Sequence, residues 1–429
     1  MTYSEALSYL NSRSAAGIRF GLERVKNLLT LFGNPEARLP AIHVAGTNGK
    51  GSTANYLENI LRASGLKTGI FTSPYMDKPT EMIRINGQPV SEEAFAELIG
   101  EASLYNARLE AAAEGGASEY ETYTAAALAF FMRQKCDIVI IEVCMGGRLD
   151  CTNILERVEA HVITKISLDH TGFLGDTLEQ IARHKAGIIR SDAPVITWPQ
   201  ESRAMVPIRL EAAKCYAPVI VAALEQLEMR FADVTGLTFD FQELKELKIA
   251  IPAPYMAQNA VMALTAAREL AKKGWPVTEK SIKEGLLKAC WPGRFELLAR
   301  EPDFILDCCH NPDGAKAFTE AYKFFQGEKK AVILFGVMGD KDYNAMASTL
   351  SDIAEAFVLL PPSNSRALDQ DKLKQCVSRY CDKVFTSDTI NAAVTKSLTL
   401  ATKTGIICAL GSHFHAAEIR KNVQRSSLC

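Results

Sequence analysis

Residues 41–57 read AIHVAGTNGKGSTANYL, and Lys50 within them is the first side chain with an evident chemical use. A short apolar run ends in a glycine-rich turn, and a helical pattern follows. In that context backbone N–H groups and a helix N-terminus can hold an anion. Lys50 can then reach terminal phosphates, while Ser52 and Thr53 can cap the helix or approach a metal. The general phosphate-loop rule, G-x-x-x-x-G-K-[ST], is broken at two positions. Val44 stands where the first glycine belongs and Gly51 where the hydroxyl residue belongs. A tight turn with a solvated lysine and a serine N-cap is the competing reading of the loop alone.

Other stretches place polar side chains at the ends of apolar runs. In IIEVCMGGRLDCTN, residues 140–153, Glu142 lies near the end of a strand, where α/β ligand sites form. Buried carboxylates are rare unless paired or bound to a metal. The Mg²⁺ of a nucleotide site requires such an acid, since it takes few protein oxygens. A glutamate paired with Lys or Arg is the alternative. In ISLDHTGFLGDTLEQIARHKAGIIR, residues 166–190, Asp169 and His170 follow a strand and Lys185 sits in a largely apolar helical context. Taken singly, a structural histidine and a surface lysine are the commoner cases. ILDCCHNPDGAKA, residues 305–317, closes a strand with Asp307, His310 and Asn311, and FGVMGDKDY, residues 335–343, closes another. Either turn alone reads as a helix cap. Two of them in one domain favour a site.

The elements that must hold these residues alternate. AIHVA (41–45), KTGIFTSP (67–74), DIVIIEV (137–143) and AHVITKI (160–166) read as short buried strands. STANYLENILRASG and TAAALAFFMRQK read as helices between them. Such alternation predicts a parallel sheet covered on both faces. From about residue 218 the runs shorten and alternate, as in antiparallel strands, and QNAVMALTAARELAKKG (258–274) returns to helix. After the punctuation of Pro292-Gly293 the strand–helix alternation restarts, at FILDCC, KAVILFGV, AEAFVLLPP and GIICALGS. The expectation is a larger N-terminal α/β domain, 1–294, and a smaller C-terminal α/β domain, 295–429.

A chain of 429 residues exceeds one compact core. Its net charge of −2 argues against nucleic acid and an acidic membrane surface as partners. No run approaches the roughly 18 apolar residues of a membrane span. Residues 1–20 lack the pattern of a secretory signal. The eleven cysteines are scattered without a C-x-x-C, which suits reduced thiols in a cytoplasmic protein better than a zinc site or a disulfide framework.

Taken together, the blocks resemble folylpolyglutamate synthase/dihydrofolate synthase, a branch of the Mur ligase superfamily. They are HVAGTNGKGS, FTSP with TEMIRING, GGRLDCTN with DHTGFLGDTLEQIARHKAGII, DCCHNPDGA, GVMGDKD and GSHFHAAEIR. The resemblance runs from about residue 20 to 420. It makes Gly46-Thr47-Asn48-Gly49-Lys50-Gly51-Ser52 the family's own variant of the phosphate loop. The implied fold is a P-loop-containing central Mur-ligase-type domain and a smaller Rossmann-like C-terminal α/β domain. The implied reaction is ATP-dependent ligation of L-glutamate to a folate or to dihydropteroate through an acyl phosphate. Mg²⁺ is the implied cofactor, with K⁺ as a further cation that the resemblance suggests.

Residue by residue, the resemblance implies that Thr47, Asn48, Gly49, Lys50, Gly51 and Ser52 hold the triphosphate. It implies Ser73, Glu142 and His170 as magnesium ligands, and Lys185 as a lysine that becomes carbamylated. Asn259 falls on the adenine side, Arg294 at the γ-phosphate, and Asp307 and His310 towards ATP and the incoming glutamate. Ser412 is assigned to the glutamate site, and Arg84 and Glu121 to the pteridine–glutamate cleft. A monomer is implied as well.

Two departures stand out. Ser73-Pro74-Tyr75-Met76 replaces the common Ser-Pro-His-Leu, on the folate side. Tyr255-Met256-Ala257-Gln258-Asn259 replaces His-Gln-x-x-Asn, on the adenine side, and keeps the Asn. A ligase for UDP-sugar peptides would carry a UDP-binding domain of about 80–100 residues before the loop, and 45 residues precede Gly46. An inactive nucleotide-binding scaffold would have lost Lys50, Glu142, His170 or Lys185, and all four are present.

Overall fold

A computed structural model describes residues 1–14, 21–233, 236–364 and 366–426. The chain forms two compact units. The first comprises Met1–Leu227 and Asn259–Ala289, and the second comprises Glu228–Gln258 and Cys290–Cys429.

The first unit is built on an eight-stranded sheet. Its strands are β1 (Ala41–Ala45), β2 (Thr68–Phe71), β3 (Ile83–Ile85), β4 (Gln88–Pro89), β5 (Ile138–Glu142), β6 (Val158–Ile163), β7 (Val195–Thr197) and β8 (Val219–Val221). The spatial order is β4-β3-β2-β5-β1-β6-β7-β8. From β2 through β8 the strands run parallel, and β3 and β4 add antiparallel at one edge. Every residue of β1 and β5 is buried, which is why both read as unbroken apolar runs rather than alternating ones. One core cluster joins Ala41, Phe71, Val139 and Ile141 to side chains of the Glu23–Leu31, Glu92–Ala111 and Glu119–Arg133 helices. Another joins Ala45, Ile163 and Val195 to the Leu178–Ala186 and Ser202–Lys214 helices. The chain leaves β1 towards β2 on one side, while β6 lies on the other. The carboxyl end of β1 is therefore the crevice where ligands of open α/β sheets bind.

The second unit has two sheets. β9 (Leu227–Asp233), β10 (Gly236–Phe241) and β11 (Leu244–Ile249) form one, in the order β11-β10-β9. β12 (Glu296–Ala299), β13 (Asp303–Leu306), β14 (Ala331–Phe335), β15 (Ala354–Leu359), β16 (Val384–Thr386) and β17 (Ile406–Leu410) form the other, in the order β12-β13-β17-β14-β15-β16. Apart from antiparallel β12, this sheet is parallel.

The grouping differs from a division at residue 294 in two respects. The first unit ends at Ala289, so residues 290–294 fall in the second. Residues 228–258 also belong with the second unit, because β9–β11 close on one another instead of extending the eight-stranded sheet. The parallel strands also stop earlier than their apolar runs, for instance at Leu306 rather than Cys309. At that point the Asp307 carboxylate accepts the N–H of Cys309, and the backbone turns.

Candidate active site

The loop after β1 is shaped by its glycines. Gly46 has φ 147°, and a Cβ there would lie 1.8 Å from Thr164 Oγ1. Gly49 has φ 87°, and a Cβ there would lie 2.3 Å from Asn259 Oδ1. Only glycine accepts that backbone and that approach. Thr47 and Asn48 direct their N–H groups to the Lys165 carbonyl, at 2.8 and 3.3 Å. Thr47 Oγ1 donates to the Ser167 carbonyl at 3.1 Å. These two residues thus tie the loop to the segment after β6. Gly49 is the N-cap of the Lys50–Ala63 helix and has no side chain to cap it. The first N–H groups of a helix lack intrahelical acceptors, so those at Lys50, Gly51 and Ser52 present partial positive charge of the kind that suits an anion.

Lys50 crosses this helix start. Its Nζ donates to the Thr47 carbonyl at 3.2 Å and stands 4.0 Å from Glu142 Oε1. Glu142 ends β5, in register with Val44, and is 3% exposed. Its other oxygen, Oε2, accepts the N–H of Ser73 at 3.2 Å. Ser73 Oγ lies 3.3 Å from the Tyr120 hydroxyl. The sequence left open whether Glu142 faces a lysine or a metal, and the structure gives it the lysine together with Ser73. A single buried carboxylate beside a hydroxyl and a phosphate site suits Mg²⁺, which takes one or two carboxylates and fills its octahedron with water and phosphate oxygens. Among the described residues, no three His, Cys, Asp or Glu side chains group closely enough to hold a metal by themselves.

Lys185 reaches the same loop from the Leu178–Ala186 helix. It is 4% exposed, and its Nζ donates to the Gly46 carbonyl at 2.6 Å. Burial, reinforced by the Lys50 charge, lowers its pKa to about 7, against the opposing pull of Asp169 and Asp150. The helix is held by a capping box from Thr177 and Gln180. The GGRLDCTN turn packs on its end. Asn153 Nδ2 donates to the carbonyls of Arg148 and Gly187, both at 3.0 Å, and a Cβ on Gly147 would lie 2.7 Å from the His184 carbonyl. Asp150 pins the turn by accepting from the N–H of Met145 and from the N–H and hydroxyl of Thr152. Thr152 is in turn 2.9 Å from His43 Nε2 on β1. Since the Thr152 proton goes to Asp150, the His43 ring is the donor in that contact.

Three more of the expected residues belong to the first unit. His170 is exposed, at φ 51°, with its N–H bonded to Asp169 Oδ1 at 2.8 Å. Arg84 lies on β3, and its Nε donates to the Glu81 carbonyl at 2.8 Å. Glu121 is a structural carboxylate in this structure. It completes the capping box of the Glu119–Arg133 helix and pairs with Arg24 at 3.0 Å.

In the second unit, Asp307 is 3% exposed and accepts three hydrogen bonds. They come from the Tyr255 hydroxyl at 2.6 Å, the Phe295 N–H at 2.9 Å and the Cys309 N–H at 2.8 Å. His310 Nδ1 is 3.0 Å from the Cys308 carbonyl, which makes that nitrogen the donor. Arg294 donates to the Gly293 carbonyl at 2.9 Å, and its other terminal nitrogen is 3.3 Å from His413 Nε2. The His310 and His413 rings lie 5.8 Å apart. Ser412 is buried, and its Oγ accepts the N–H of Phe414. Arg294, His310 and His413 thus converge beside Asp307. The sequence reading missed Tyr120, His413 and the bonding role of Tyr255. The one signal for Tyr255 was its departure from the common His.

Residues 44–267 match the family described as Mur ligase middle domain, and residues 293–413 match the Mur ligase, glutamate ligase domain. Fold and site therefore define a ligase of the Mur type. The chain is 35% identical over 363 residues to the dihydrofolate synthase/folylpolyglutamate synthase of Bacillus subtilis, covering 82% of this chain and 84% of that protein. It belongs to the folylpolyglutamate synthase/dihydrofolate synthase branch of this family of ATP-dependent ligases. Among solved structures it resembles the Mycobacterium tuberculosis folylpolyglutamate synthase complexed with ADP, with a TM-score of 0.89 at 28% identity over 98% of this chain and 99% of that one. It also resembles E. coli FolC in complex with DHPP and ADP, with a TM-score of 0.87 at 29% identity over 99% of this chain and 98% of that one. The α/β architecture expected from the sequence, a phosphate-loop Mur-type domain and a C-terminal α/β domain, holds. Among the described residues, no helix is long and apolar enough to cross a membrane.

Proposed function

We infer that this chain uses ATP to ligate L-glutamate to the terminal carboxylate of a reduced folate, and also to dihydropteroate. The observation that supports the reading most is the grouping at the carboxyl end of β1. An uncapped helix N-terminus, the Lys50 ammonium, the Glu142 carboxylate and the buried Lys185 meet there around one loop. The acceptor carboxylate attacks the γ-phosphorus, the bond to the β-phosphate oxygen breaks, and ADP leaves. The glutamate amine then attacks the acyl phosphate carbon, loses a proton, and expels inorganic phosphate.

Lys50 and the N–H groups of Gly51 and Ser52 neutralise charge that builds on the phosphates, and positioning supplies much of the rest. Ser73, Glu142 and His170 would hold Mg²⁺, which when bound screens the phosphate oxygens from the incoming carboxylate. Arg294 serves the γ-phosphate, Asn259 the adenine side, and Asp307, His310 and Ser412 the nucleotide and glutamate side. Arg84 and Glu121 belong to the pterin side, Glu121 through the helix start that it holds. Lys185 has a pKa of about 7, so much of it is a neutral amine near neutral pH. It adds CO₂ and releases a proton, which replaces a cation by an acid beside the loop. K⁺ belongs to this reading as a counter-charge. The protein works as a cytoplasmic monomer.

The test is phosphate release with Mg-ATP and L-glutamate, with dihydropteroate and tetrahydrofolate supplied in separate reactions. Release with both supports the bifunctional enzyme. Release with tetrahydrofolate alone restricts it to folylpolyglutamate synthesis and directs attention to Tyr75-Met76. Release with neither refutes the reading.

A further inference from the structure

Tyr120 touches the candidate site through one atom. It lies in the first turn of the Glu119–Arg133 helix, and its hydroxyl is 3.3 Å from Ser73 Oγ. Hydrogen bonds and packing brace its helix start. Ser118 and Glu121 form the capping box, and Glu121 pairs with Arg24. The Tyr120 ring packs on Phe71, with centroids 5.6 Å apart and planes tilted by 34°. Its carbonyl accepts the Thr124 hydroxyl at 2.9 Å. Ser73 is held from the other side by its N–H bond to Glu142 Oε2 at 3.2 Å.

A hydroxyl has one proton and two lone pairs. When a lone pair faces a cation, the proton must point away and needs an acceptor. The Tyr120 oxygen is within reach of Ser73 to be that acceptor, on a ring packed against Phe71. We propose that Tyr120 is a positioning residue that accepts the Ser73 proton and so aims the Ser73 oxygen at a Mg²⁺-type cation beside Glu142. The proposal rests on the reading of Ser73 and Glu142 as cation donors. Outer partners of this kind commonly change metal affinity by 10–100-fold.

The test measures binding rather than turnover. Free Mn²⁺ is followed by electron paramagnetic resonance in a titration with AMPPCP present and no acceptor. Wild type, Y120F, S73A and the double variant are compared below their melting midpoints. Y120F removes one oxygen and keeps the ring on Phe71. The expected result is about tenfold weaker Mn²⁺ binding in Y120F, at least as great a loss in S73A, and no further loss in the double variant. Unchanged affinity in Y120F, or losses that multiply in the double variant, overturns the role of Tyr120. Unchanged affinity in S73A overturns the proposal at its base, by removing Ser73 from the cation. Phosphate release by wild type judges the ligase reading separately, so the two failures are distinct.

Discussion

Lys185 offers the sharpest test of the chemistry. An amine adds CO₂ only when neutral. A lysine of ordinary pKa near 10.4 is about 0.4% neutral at pH 8. With a pKa of about 7, the same side chain is about nine-tenths neutral at pH 8, a gain of about 200-fold. Its bond to the Gly46 carbonyl uses one N–H and leaves the nitrogen lone pair available. The experiment strips CO₂ from the enzyme by dialysis at low pH under CO₂-free gas. It then times the recovery of phosphate release at fixed dissolved CO₂. The recovery rate should rise about tenfold from pH 6 to pH 7.5 and level off above pH 8, since the neutral fraction then nears one. K185A should fold yet lose ligation, and short carboxylic acids should restore part of it. A rate that keeps climbing through pH 10, or full activity in K185A, would refute the reasoning.

Other consequences follow from the same geometry. G49A forces a Cβ to within 2.3 Å of Asn259 Oδ1 at φ 87°. With strain of about 1–3 kcal/mol, the KM for ATP should rise about tenfold or more, and an unchanged KM would contradict the loop assignment. D307N would set an amide N–H₂ against one of three donors, from Tyr255, Phe295 and Cys309. It should destabilise the fold by about 1–3 kcal/mol in urea unfolding. Pairing it with Y255F should cost less than the sum of the two changes.

Acid should also weaken the fold. Burial lowers the pKa of His43 and His161 to about 3. Burial likewise lowers His415 to about 4, although the Leu410 carbonyl pulls slightly the other way from outside hydrogen-bonding geometry. The unfolded chain takes up these protons near pH 6.5 and the folded chain does not, so stability falls as pH drops below 6.5. At pH 5 each ring costs about 2 kcal/mol relative to pH 8. H415F should recover about that much at its own position, as read from urea midpoints at the two pH values. Parallel pH dependence in wild type and H415F would count against it.

The sequence by itself determined the strand–helix alternation and the places where polar residues end apolar strands. It also carried the loop variant and the family. Those features are local. Burial on both faces makes β1 and β5 read as unbroken apolar runs, and glycines at 46 and 49 answer backbone angles that other residues resist. The helix after residue 50 and the turn at Asp307 were legible for the same reason.

Only the tertiary structure decided which residues meet. Strand order brings Glu142 on β5 beside the loop of β1, and the GGRLDCTN turn sets Lys185 against the Gly46 carbonyl. Residues 228–258 read as part of the N-terminal domain, because their separate sheet is a matter of pairing and not of composition. Glu121 resembled a substrate residue by position, yet its carboxylate is committed to a helix start and to Arg24. Tyr120 lies outside every recognised block, and His413, although inside GSHFHAAEIR, was not singled out, since each matters through a single atom. Such roles depend on a few tenths of an ångström between segments far apart in the chain, and hydrogen bonding over that distance leaves no periodic trace in the sequence.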